Sequence, residues 1–107
     1  MSEPQAWLLT VNDWFATREA RHSDRFMEPN ERVEPFYARG DLTHALKALK
    51  EYERLFMRRY PMTGLTLRLL SFAPIPPGTD LDALQDVGAT DLDANIARLR
   101  EEIADME

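Results

Sequence analysis

Residues 40–61, GDLTHALKALKEYERLFMRRYP, constrain this chain more than any other stretch. A Gly-Asp pair opens the segment, a proline closes it, and apolar residues return between them at helical intervals. At about 100° per residue, Leu42, Ala45, Leu46, Leu49, Tyr52, Phe56 and Tyr60 share one side. An isolated helix cannot bury such a side, so other elements must cover it. The spacing predicts a helix here, with Asp41 as its cap and Gly40 in the left-handed turn before it.

The remaining segments read most simply as further helices. Ser2, Glu3, Pro4 and Gln5 form a capping box, and Trp7, Leu8, Val11, Trp14 and Phe15 follow at helical spacing. This predicts a helix over residues 3–21; the alternative is a strand over 6–11, since tryptophan and valine favour sheets. Residues 22–34 read as a loop with Phe26 and Met27 turned to the core, and Pro35 as the start of a short helical turn through Ala38. Residues 65–72 read as a buried helix. Their alternative is a strand with Leu65, Leu67 and Leu69 on one face, which would need 6–11 as its partner. Residues 73–79 form a Pro-rich connector, Asp80 caps a short helix ending at Gly88, and Thr90 caps a last helix over 91–106. In that helix Leu92, Ile96, Leu99, Ile103 and Met106 form a narrow seam of coiled-coil spacing.

The expected fold is therefore all-α: one domain over 1–107, a small irregular bundle of four to five helices. The alternative is α+β, with a short two-stranded sheet from 6–11 and 65–72. Gly40, Asp41 and Leu42, with Ala45 and Tyr52, resemble the second helix of a tetratricopeptide repeat, and Phe36 and Tyr37 would then end the first. The resemblance covers about thirty residues, and Pro35 and the late Pro61 depart from it. No second copy follows at that repeat's period of about 34 residues, so it implies one helical hairpin and a role in protein binding.

Composition narrows the chemistry. The chain holds no cysteine, which removes disulfides, thiolate ligands and a cysteine nucleophile together. Its net charge of −6 opposes general affinity for nucleic acid or anionic lipid. The early apolar run, residues 6–9, is too short for a signal sequence or a membrane span, so the expectation is a soluble cytoplasmic protein. Charge is uneven along the chain. Residues 41–74 carry six Lys and Arg against three acids, whereas residues 75–107 carry nine acids against two Arg.

Candidate chemistry is sparse. Glu19 with His22 and Asp41 with His44 have the spacing of ligands in bridged metal bundles, but carboxylates from two further helices are missing. No nucleophile elbow or phosphate loop appears, so the protein is read as a non-enzyme with no cofactor and no metal. Glu53 falls inside the apolar arc of the long helix, as Arg18 does in the first. The expectation is an ion pair between them, or snorkelling to solvent, and the alternative is a general acid or base with a raised pKa. Lys47, Lys50, Arg54 and Arg58 line one flank of the long helix.

The function expected is a protein-interaction module: an adaptor, small chaperone, regulatory subunit or inhibitor. Its contacts would be Trp14, Phe36, Tyr37 and the basic flank Lys47, Lys50, Arg54 and Arg58, meeting an acidic protein surface. Alternatives are a subunit that self-associates as a homodimer through Leu92, Ile96, Leu99 and Ile103, an acidic mimic of nucleic acid, and a small metal protein or enzyme.

Overall fold

The computed structural model describes residues 5–17, 30–61, 63–86 and 88–106, with side chains for all of these except 13–17, 30, 31, 63, 64 and 86. The elements run β1 (Ala6–Thr17), β2 (Asn30–Arg39), α1 (Leu42–Arg59), β3 (Thr63–Pro74), α2 (Leu81–Asp86), β4 (Thr90–Asp91) and α3 (Leu92–Met106). A four-stranded mixed sheet of order β3-β1-β2-β4 lies at the centre. The expected all-α bundle is thus wrong, and so is the tetratricopeptide-like hairpin. The segment before α1 is a strand, not a helix.

β1 is the strand that organises the sheet. It pairs antiparallel with β2 from Ala6↔Arg39 to Phe15↔Asn30, and with β3 from Trp7↔Pro74 to Thr17↔Thr63. The β3 register slips between Thr10 and Val11, so Leu70 is bulged out of the ladder. β4 adds a short parallel pairing, Phe36↔Thr90 and Tyr37↔Asp91.

The helical pattern seen in β1 has a physical source. Trp7, Leu9 and Val11 point to one face of the sheet, where Leu9 and Val11 join the main core. Ala6 and Leu8 point to the other, where they pack with Tyr37, Ile75 and Ala89. A strand covered on both faces is apolar at both parities, which imitates helical spacing over a short run. The two-stranded alternative was too small: residues 65–72 do run beside β1, but within a four-stranded sheet.

Pro35 sits inside β2 opposite Thr10. β4 reaches only Phe36 and Tyr37, so beyond them the outer side of β2 has no partner strand among the described residues. Such an edge tolerates a proline. β2 and β3 are both antiparallel to β1, so α1 is the crossover between two strands of like direction. Gly40 makes that crossover, with φ at 98° and its N–H donating to the Gln5 carbonyl at 2.7 Å. A Cβ at this position would meet the His44 ring at 3.0 Å. Asp41 then caps α1, its Oδ1 accepting from the His44 N–H at 2.7 Å.

α1 and α3 lie on the same face of the sheet. Ala45, Ala48, Leu49 and Leu55 of α1 meet Leu92, Ile96, Leu99 and Ile103 of α3 over Leu9, Val11, Phe36 and Ala38. Asp91 caps α3, one residue after the expected Thr90, accepting from Asp93 N–H at 3.1 Å and Ala94 N–H at 3.4 Å. Arg59 Nε faces Glu102 Oε2 at 3.3 Å, close enough for charge attraction but angled too poorly for a hydrogen bond. The short α2 closes the second, smaller core on the opposite face with Leu81 and Leu84.

Candidate functional site

α1 lies beside β3, an edge strand of the sheet, and a groove runs between them. Leu46, Leu49, Lys50, Glu53, Leu67 and Leu69 line it, and its volume is about 460 Å³. Its leucines come from two periodicities: Leu46 and Leu49 are neighbours on a helix, and Leu67 and Leu69 share one face of a strand.

Glu53, the acid inside the apolar arc, has a definite role. Its Oε2 accepts a hydrogen bond from the Leu67 backbone N–H at 3.0 Å. The carboxylate therefore satisfies an edge-strand donor from a partly buried position. The expected partner, Arg18, lies outside the described residues.

Apolar side chains also remain exposed on these two elements. Leu46 is 37%, Met57 41% and Tyr60 38% exposed on α1; Leu70 and Phe72 are 48% and 49% exposed on β3. Phe72 is held edge-on against the Trp7 ring, with centroids 5.7 Å apart. Of these exposed side chains, Leu46 lines the groove.

The outward side of α1 is cationic. Lys47, Lys50, Arg54 and Arg58 are all exposed, and Lys50 also lines the groove. Arg54 hydrogen-bonds Glu51, which Arg100 of α3 approaches to 3.8 Å. The Arg54 hydrogen bond, helped by the charges of Arg54 and Arg100, holds the Glu51 carboxyl below the usual glutamate range. The same bond raises the Arg54 guanidinium. Arg54, Arg58 and Arg100 also line a cleft of about 270 Å³ between α1 and α3.

The other expected contacts are placed differently. Phe36 and Tyr37 are each 1% exposed, one in each core, so neither offers a surface. The strand alternation that buries them on opposite faces was hidden by reading the segment as a helical turn. Trp14 stands in β1 opposite Glu31 and Thr66, and its side chain lies outside the described set. Leu92, Ile96, Leu99 and Ile103 are buried against α1, so the seam is filled from within the chain. Met106, at its end, remains 55% exposed.

Glu19 and His22 lie outside the described residues. Asp41 is spent as a cap, and His44 Nε2 stands 3.5 Å from Asp93 Oδ1 at the chain-start ends of α1 and α3. Among the described residues no group of three or more His, Cys, Asp or Glu is placed to hold a metal ion. Several acids of the last third have internal partners: Asp80 and Asp91 cap helices, Asp93 faces His44, and Glu102 faces Arg59. No helix among the described residues is long and apolar enough to cross a membrane.

Of the groove's lining residues, only Lys50 is among the contacts expected from the sequence. Leu46, Leu49 and Glu53 read there as the apolar arc and its misfit, and Leu67, Leu69 and Arg100 are not singled out as site residues. The alternation Leu65, Leu67, Leu69 was the available signal for the first two; nothing in the local pattern of α3 turns Arg100 toward Glu51. No family model, curated protein or solved structure matches this chain.

Proposed function

We propose that this chain is a non-enzymatic protein-interaction module that engages an acidic partner through the α1–β3 side. The observation that carries the reading is the groove itself. Leu46, Leu49, Leu67 and Leu69 give it an apolar lining with Leu46 exposed, and Lys50 at its border belongs to the cationic outward side of α1. An apolar centre with a charged border is the usual anatomy of a protein contact. The cations supply steering toward an acidic surface, although the chain as a whole is negative.

A photo-crosslinking residue placed at Leu46 or Met57 should capture a partner protein, whereas the same residue at Ala83 on α2 or Ala97 on α3 should not. Reversing charge with Lys47→Glu, Lys50→Glu and Arg54→Glu together should weaken that capture, about tenfold or more in affinity, with the fold retained by circular dichroism. Equal capture at all four positions, or affinity indifferent to charge reversal, would remove this surface from the function.

A further inference from the structure

We propose that β3 accepts an added strand: an extended segment of the partner, apolar at every second residue and acidic between. In this scheme Glu53 is the latch that holds the edge closed until the segment arrives. The inference rests on the interaction-module reading and specifies the partner's form.

β3 pairs with β1 along one side only, among the described residues. The Leu67 N–H turns away from β1, because it donates to Glu53 at 3.0 Å. Backbone groups in a strand alternate sides with a period of two, so Leu65 and Leu69 direct theirs outward with Leu67. A long strand with a row of outward donors and acceptors is a template for another strand. The opposite edge is interrupted: β4 has two residues, and the stretch of β2 beyond it contains Pro35, which has no N–H to offer.

Glu53 stands where an incoming carbonyl would accept. A carboxylate oxygen and a peptide oxygen are alternative acceptors for the same N–H, so exchange replaces one hydrogen bond with another. Natural sheets guard their edges with charged side chains, and the bulged Leu70 and exposed Arg68 on β3 serve the same end. Glu53 differs from those two because rotation of its side chain reverses the block.

The groove identifies what the added strand carries. Side chains of every second residue would lie over Leu46, Leu49, Leu67 and Leu69, which calls for apolar groups. The intervening residues would share the sheet face of exposed Arg68, opposite the one that Leu67 and Leu69 turn to α1. Acidic side chains at those intervening positions complement the Arg68 guanidinium. A second copy of this chain is the poorer occupant. Edge-to-edge pairing about a two-fold axis would bring Lys50 and the cationic flank of one α1 toward those of the other.

The test uses the full chain and two fluorescent peptides of about ten residues, one alternating leucine with aspartate and one alternating leucine with lysine. Anisotropy should show binding of the aspartate peptide, with the lysine peptide weaker by about tenfold or more. Glu53→Ala should bind the aspartate peptide about fivefold tighter, because the latch no longer reduces the competent fraction. Arg68→Glu should weaken it. N-methylation of alternate peptide residues should abolish binding, and bound peptide should slow hydrogen exchange at Leu65, Leu67 and Leu69.

Binding that survives N-methylation, or protection confined to α1, would overturn strand addition while leaving the interaction module standing. Failure of both peptides to bind either the wild-type chain or Glu53→Ala would overturn it as well. If Glu53→Ala instead dimerises in sedimentation, the occupant is a second copy and the acidic-partner assignment is wrong.

Discussion

Glu53 and Glu51 lie two positions apart on α1 and have opposite fates. Two residues rotate a helix by about 200°, so one carboxylate turns toward β3 and the other toward α3. Glu53 meets a backbone N–H, and Glu51 meets two guanidiniums. For Glu51 the folded carboxyl is held below its ordinary range, chiefly by the Arg54 hydrogen bond. A depressed acid contributes stability above its unfolded pKa and loses it as pH falls through the folded value. The Glu51 carboxyl resonance should therefore titrate below the ordinary glutamate range, and Arg54→Gln should move its midpoint upward. Because the pair is exposed, global stability should change little. An unchanged midpoint in Arg54→Gln would show that Arg54 does not set this titration.

Among the elements, α3 gives the clearest energetic statement. Its four seam residues pack on α1 inside one chain, so removing one leaves a cavity. Leu99, at 2% exposure, is the central case. Leu99→Ala should cost about 2–5 kcal/mol in denaturant unfolding. The variant's sedimentation coefficient at low denaturant should match the wild type's. A smaller loss accompanied by dissociation of a dimer would restore the self-association reading. The strands teach a different lesson. Residues 6–17 satisfy a helical wheel, yet they fold extended because two neighbours, β2 and β3, take up their backbone groups. The partner strand that 65–72 needs is 6–17, itself paired on its other side with 30–39, and Pro35 conceals that last strand from a local reading.

Taken whole, the molecule is a sheet with two helices on one face and a short one on the other. It is elongated, with extents of 55 × 33 × 25 Å and a radius of gyration of 15.5 Å. A typical chain of this length has a radius of about 13 Å. One source of the difference is β1, whose twelve residues span about 40 Å, against about 27 Å for the helix α1 laid along it. As the strand between two partners and two cores, β1 should open only with the whole fold. Amides of Leu8, Leu9, Thr10 and Val11 should accordingly be among the slowest to exchange, with free energies equal to that of global unfolding. Native-state hydrogen exchange checks this directly. Amides of α1 outlasting them would show that the helix layer, not the sheet, is the last structure to open.

The helices are legible in the chain because their signals are local. A cap at Asp41 and a stripe three and four residues apart specify α1 within eighteen positions, and the same holds for α3. The cationic flank and the misfit Glu53 are visible in the same way. The sheet is different, since each pairing joins residues far apart in sequence: Leu9 with Phe36 and Phe72, Phe36 with Thr90. Local preference cannot separate a strand covered on both faces from a helix, so only tertiary pairing chooses between them. That choice also makes the groove, because Glu53 and Leu67 are fourteen residues apart and meet only when β3 lies at the edge beside α1.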